Sequence, residues 1–199
     1  NGMYRINLFY PGKEPLSFIS ESNEKNVYEV VEEAKEALSK NLFKKGNLGR
    51  ININKIINLH DEDGLEMDKI KGMVSQIKEG ENILMEDNFP NVKIVRSKEE
   101  FILFDGHHTL IAYMLAGEKS LQNIPHLIVE NKDIGDEDLL VFFGEYSKKL
   151  TGKDWRNFVI NWQIPGGKLI RRKNSDFSEL FDRISYSSFI SSKNNLAIK

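Results

Sequence analysis

The residues that decide how this chain folds are Phe101-Ile102-Leu103-Phe104-Asp105-Gly106-His107-His108-Thr109-Leu110-Ile111-Ala112-Tyr113-Met114-Leu115-Ala116-Gly117. Phe101–Phe104 is a short apolar run with two aromatics, which reads as a strand. It runs straight into Asp105-Gly106-His107-His108. A helix follows at once through Leu110–Ala116 and is stopped by Gly117. A strand that turns through one glycine into a helix places the helix N-terminus at the strand's end, with its unpaired N–H groups exposed there.

Working outward, Val92–Val95 reads as a second strand, joined to Phe101–Phe104 by Arg96-Ser97-Lys98-Glu99-Glu100, a connection of hairpin length. Upstream, Met67, Ile70, Val74 and Ile77 form one stripe of a helix over about 66–79, ended by Gly80. Before it lies the acidic loop His60-Asp61-Glu62-Asp63-Gly64, and before that Ile51, Ile53 and Ile56-Ile57 suggest a strand. Residues 4–9 alternate as a strand and end at Tyr10-Pro11-Gly12. A helix is expected over about 22–45, with Val27, Val30, Val31, Ala34, Leu38 and Leu42 on one side and Gly46 as its closing glycine. Downstream, Ile124–Val129 reads as a strand, 136–150 as an amphipathic helix, 155–162 as an aromatic segment and 176–184 as a short helix. The Ser/Asn-rich stretch 185–199 is expected to be mobile at its end. The expected fold class is α+β, a small mixed sheet with flanking helices. Its division is a strand–helix extension at 3–45, a central domain at 46–150 and a C-terminal extension at 151–199.

Composition bounds the function. With 40% hydrophobic residues among 199, the chain can bury a sizeable core. Thirty Asp and Glu against 28 Lys and Arg give a net charge of −2, which disfavours a non-specific nucleic-acid binder. The absence of cysteine removes disulfides, thiolate nucleophiles and Cys-based metal sites together. No run of 18 apolar residues exists, so no membrane span is expected. Asn1-Gly2 ahead of Met3 reads as a cloning remnant; on that reading the protein is nearly full length and cytoplasmic, with a fragment of a larger chain as the alternative. The oligomeric state is open.

One place has unusual local chemistry, the Asp105–Thr109 junction. A helix N-terminus attracts anions, phosphate above all. Gly106 permits a tight turn and close approach, and His107, His108 and Thr109 add side-chain donors. Asp105 is placed to orient a histidine, hold a metal or act as a base. The alternative is a plain capped helix, in which Asp or Thr serves as the cap. The acids before the 66–79 helix are a second feature: Asp61, Glu62, Asp63 and Glu66 either take part in proton transfer or Mg²⁺ binding, or simply favour the helix dipole. His60 and His126 lack metal-ligand spacing, and His126 is expected to be structural. Trp155 and Trp162 are expected in the core, and Arg171-Arg172-Lys173 on a solvated surface.

The path from Phe101 through Asp105-Gly106-His107-His108-Thr109 to Tyr113, then Gly117 and Ile124-Pro125, resembles the central motif of the ParB/sulfiredoxin superfamily, over roughly residues 51–130. The D-G-H-H form is most similar to the free-serine kinase branch. That resemblance implies a nucleotide-phosphate cradle at Gly106, His107, His108 and Thr109, with catalytic candidates Glu62, Glu66, Asp105 and His108. It implies ATP or ADP (or CTP) with Mg²⁺, and a small hydroxyl-bearing substrate. The usual arginine after the two histidines is Thr109 here, and a neutral hydroxyl cannot replace a guanidinium fork. Lys69, Lys71, Arg171 and Arg172 are the candidate substitutes. Two other readings compete with a small-molecule phosphotransferase: a ParB-like DNA-binding protein or nuclease, and a non-catalytic regulatory module. The resemblance disfavours sulfiredoxin activity itself, since that chemistry relies on a cysteine in the loop and this chain has none.

Overall fold

The computed structural model describes residues 3–21, 25–59, 65–131 and 139, and the backbone of strands 159–163, 168–173 and 176–185. The elements in chain order are β1 (Arg5–Phe9), β2 (Leu16–Ile19), α1 (Val27–Ser39), β3 (Lys44–Lys45), a 3₁₀ turn (Ile53–Lys55), β4 (Ile56–Leu59), α2 (Met67–Lys78), β5 (Val92–Ser97), β6 (Glu100–Asp105), α3 (His107–Leu115), a second 3₁₀ turn (Leu121–Asn123), β7 (His126–Glu130), β8 (Val159–Gln163), β9 (Lys168–Lys173) and β10 (Asp176–Ser185). The protein is mixed α+β. Its strands form one sheet in the order β10-β9-β8-β4-β6-β5-β7-β1-β2-β3. Two neighbouring pairs run parallel, β4 with β6 and β5 with β7; the others are antiparallel. Residues 3–45 are continuous with the rest of the sheet, since β1 pairs with β7 from Arg5↔Glu130 to Phe9↔His126.

Alternation along the strands sorts side chains onto two faces. Ile56, Leu103, Ile94 and Ile128 join one apolar cluster with α2 (Ile70, Val74) and α3. Ile57, Ile102, Phe104, Val95, Leu127 and Val129 join a second with Val30 and Ala34 of α1 and with Ile6 and Leu8 of β1. The result is three layers, α1 on one face and α2 with α3 on the other. Every α3 residue from Thr109 to Leu115 is buried, which explains why its sequence is apolar on all sides instead of striped.

Helix ends account for most differences from the sequence reading. Each of α1, α2 and α3 closes with a Schellman pair of bonds. Gly80 and Gly117, at φ +88° and +100°, occupy the left-handed position as expected. In α1 the same position is held by Asn41, not Gly46: Asn41 N–H bonds Leu38 O at 3.1 Å and Leu42 N–H bonds Ala37 O at 2.9 Å, so the helix stops at Ser39. It begins one residue after Asn26, whose side chain forms a capping box with Glu29, and not at Ser22. Gly46 serves a strand contact instead, because a Cβ there would meet Ser17 Cβ at 2.9 Å.

Three further corrections follow from pairing. The expected strand beginning at Ile51 starts only at Ile56, after the 3₁₀ turn; β2, absent from the sequence reading, lies between β1 and β3. The segment expected as a helix at 176–184 is strand β10, because its backbone pairs antiparallel with β9. Ladder bonds outweigh a weak local preference there. Within the aromatic segment, residues 159–163 form β8. The expected helix at 136–150 lies outside the described residues apart from Leu139, which is helical and buried. The tail 186–199 also lies outside them.

Candidate functional site

The parallel pair β4 and β6 brings two strand ends, and the helices that follow them, to the same edge of the sheet. α3 starts at His107, after its N-cap Gly106, the residue that follows β6, and α2 starts at Met67, the next helix in the chain after β4. The two helix N-termini are joined directly: the Glu66 backbone N–H donates to His108 Nε2 at 3.0 Å. His108 Nε2 is therefore the acceptor in this arrangement, and the ring proton sits on Nδ1. His107 and His108, both half-buried, hold their rings 5.8 Å apart. The N-cap of α3 is Gly106, which has no side chain to form a cap bond, and the first turn of the helix carries the partial positive charge of a helix end.

The corner is rigid for reasons that the sequence did not display. Gly106 sits at φ +86°, and a Cβ there would lie 2.5 Å from Asn91 O and 2.7 Å from Val92 Cα. Glycine is required by the close approach of β5, independently of any ligand. Thr109 is fully buried. Its hydroxyl accepts from Asn91 Nδ2 at 2.5 Å and faces Met73 Sδ at 3.7 Å, so it contributes only its backbone N–H to the helix end.

A β-bulge at Phe104 shifts the register, so that Lys93 pairs with Asp105 while Ile94 pairs with Leu103. The extra residue turns the Asp105 side chain toward Lys93. The Lys93 ammonium is buried, with a side chain only 2% exposed, and all three of its protons have acceptors. It donates to Asp105 Oδ2 at 2.9 Å, Asn91 O at 3.2 Å and Met85 Sδ at 3.4 Å. Asp105 Oδ1 accepts the Gly106 N–H at 2.9 Å. Both carboxylate oxygens are thus engaged, and Asp105 ties the end of β6 to β5. Lys93 and Asn91 were missed in the sequence reading. The available signal was a lysine inside the apolar run Val92-Lys93-Ile94-Val95.

The other sequence candidates are spread more widely. Glu66 stands at the N-cap of α2 with an exposed carboxylate 3.8 Å from Lys69 and no side-chain cap bond. Glu62 lies outside the described residues, as do His60, Asp61 and Asp63. Of the candidate cations, Lys69 is beside Glu66 in the first turn of α2, Lys71 lies one residue beyond Ile70, and Arg171 and Arg172 are in β9, three strands from β6. Among the described residues, no group of three His, Asp or Glu side chains is placed to hold a metal ion.

Two buried polar groups lie nearby. Asn58, which pairs with Leu103 of β6, is 1% exposed, and neither atom of its amide has a hydrogen-bond partner. His126 begins β7 at this same edge, fully buried beside the Phe9 ring at 5.5 Å. Its Nδ1–H donates to Ile124 O at 2.7 Å while Nε2 has no partner, and burial pulls its pKa down to about 4. His126 is therefore a neutral structural residue at ordinary pH. No helix among the described residues is long and apolar enough to cross a membrane. Comparison with protein-family models, with curated proteins and with solved structures finds no match to this chain.

Proposed function

We propose that the Asp105–Thr109 corner is a ParB/sulfiredoxin-like phosphate cradle for a nucleotide, ATP or ADP in preference to CTP, and that the protein is a cytoplasmic phosphotransferase acting on a small hydroxyl-bearing molecule such as an amino acid. The observation that carries this reading is the N-terminus of α3, which opens on a glycine at the end of β6 and is set beside the N-terminus of α2 by the Glu66–His108 bond. Two helix ends that converge at the carboxyl ends of parallel strands favour an anionic ligand between them.

On this reading the first-turn N–H groups of α3 hold phosphate oxygens, and His107 with the His108 Nδ1–H adds neutral donors. The Lys93–Asp105–Gly106 chain of bonds keeps the turn in place without touching the ligand. Glu66, and Glu62 in the preceding loop, are the carboxylates available to take the proton from the acceptor hydroxyl as its oxygen bonds to phosphorus and the bridging P–O bond breaks. Mg²⁺, which ordinarily binds through phosphates and one or two carboxylates, supplies charge neutralisation on the phosphates. A net charge of −2 speaks against the DNA-binding alternative.

The test is a thermal-shift panel of ATP, ADP, CTP, GTP and AMP with and without Mg²⁺, run beside the His107→Ala/His108→Ala double variant. A ligand at 100 times its dissociation constant adds about 2.7 kcal/mol to the folded state. The expected result is a shift with one nucleotide that the double variant loses, followed by a phosphorylated product when serine and similar acceptors are screened. No shift with any nucleotide overturns the reading, and tight salt-sensitive DNA binding would replace it.

A further inference from the structure

A second concavity of about 780 Å³ lies at the opposite edge of the same sheet, beyond the carboxyl ends of the parallel pair β5 and β7. The length of β6 separates it from Gly106 by about 17 Å, so the two places share no residue. Its floor is apolar, formed by Phe101, Ile128 and Ile51. One wall is the segment 47–52, held in place by backbone bonds to the chain that follows α3: Leu121 N–H to Ile51 O at 3.0 Å and Ile53 N–H to Lys119 O at 3.1 Å. The other wall is Arg96 and Glu130, with the side chain of Asn7 buried behind them and donating to Glu130 Oε1 at 3.2 Å.

The charges around this floor are unequal. The Glu130 carboxylate is matched by Arg96 at 3.6 Å and Arg5 at 3.8 Å. The Arg96 guanidinium is also held over the Phe101 ring, 5.5 Å from its centroid, and donates to Lys98 O at 3.3 Å. Arg50 and Lys55, on the facing wall, carry no ion pair among the described residues. The exposed Glu99, at the hairpin tip, is the remaining carboxylate on the rim. Two cations therefore face an apolar floor across a preformed cavity of the size that small ligands occupy.

We propose that this cavity is a ligand site separate from the Asp105–Thr109 corner, and that it takes a small carboxylate with an aromatic or branched aliphatic body. The carboxylate lies between Arg50 and Lys55, and the body rests on Phe101 and Ile128. The pre-set Arg96 fork closes the far side, and the Asn7 and Glu130 side chains keep it in register. This site stands independently of the phosphate reading at the other edge.

The test is a titration of the full ¹⁵N-labelled chain with benzoate and, in parallel, with benzamide, which keeps the ring and lacks the charge. The expected result is saturable benzoate binding, with amide shifts concentrated at Gly49–Asn52, Phe101 and Ile128. Benzamide should bind at least fivefold more weakly. Arg50→Gln/Lys55→Gln, which alters two exposed side chains and leaves the core intact, should weaken benzoate at least fivefold without affecting benzamide. No benzoate shifts up to about 10 mM, a concentration that reaches even millimolar sites, would overturn the proposal. So would equal binding of the two probes, an unchanged affinity in the double variant, or shifts centred elsewhere.

Discussion

Acidification should destabilise this protein through His126. The His126 ring is fully buried, spends Nδ1–H on Ile124 O, and leaves Nε2 facing no acceptor that a second proton could use. Its pKa is depressed from the ordinary 6.5 to about 4 in the folded state. Between those two values the unfolded chain binds a proton that the folded chain refuses, so stability falls as pH falls. The difference of about 2.5 units at 1.36 kcal/mol each amounts to about 3 kcal/mol, of which about 2 is already lost at pH 5. Below about pH 4 this contribution levels off. The assay is urea unfolding from pH 7.5 to 4.5 for the natural chain and for His126→Phe, which keeps a ring beside Phe9 and cannot titrate. At pH 7.5 the variant should be less stable by about 1 kcal/mol, the worth of the lost bond to Ile124 O. Its curve should fall less steeply and cross that of the natural chain between about pH 5 and 6. Parallel curves over the whole range would refute the assignment of the acid sensitivity to His126.

Three other outcomes are expected. Gly106→Ala combines a left-handed backbone with a Cβ 2.5 Å from Asn91 O, and should cost about 3 kcal/mol or more in urea unfolding; a loss below about 1 kcal/mol would mean that β5 can move away from the corner. Asp105→Ala leaves the Lys93 ammonium buried without its carboxylate and should cost about 3 kcal/mol, whereas Lys93→Met should cost less because Asp105 is half-exposed and can be hydrated. The Lys93→Met/Asp105→Ala double variant should recover part of the Asp105→Ala loss, and strict additivity would show that the pair is not coupled. Asn58→Leu removes an amide with no partner on either atom and should be neutral or stabilising by about 1 kcal/mol in the ligand-free protein; a loss of more than about 1 kcal/mol would show that the amide is satisfied.

Much of the fold was legible because local chemistry and tertiary structure agree along the central segment. The β5–β6 hairpin, the Gly106 turn, α2 and α3 all follow from period, glycine placement and apolar runs. The reading of α1 failed at its ends, where two signals competed. Asn41 and Gly46 can both close a helix, and the apolar stripe that continues to Leu42 favoured the glycine. The decision came from Gly46 packing against Ser17 of β2, a contact across about 29 residues that no local window contains. β10 shows the same effect more strongly, since its 10 residues are held by pairing with β9.

The candidate site was legible in its backbone and much less so in its side chains. Asp105-Gly106-His107-His108 announced a helix start at a strand end, and the helix does start there. The partners of Asp105 and Gly106 come from β5 and the residue before it, and that of His108 from the start of α2, and nothing local in the sequence connects them. Asp105 reads as a free acid until the bulge at Phe104 aligns it with Lys93. Thr109 reads as an exposed donor in the place of an arginine, yet it points inward at Asn91 and Met73. An arginine in that orientation would have to bury its guanidinium where a hydroxyl now fits, at a cost far beyond any gain from one phosphate contact. The threonine is thus the residue that this packing demands, and any cation serving a phosphate here must come from a different element. On the proposed reading, that makes the first turn of α3, and not the side chain at 109, the part of the corner on which anion binding would rest.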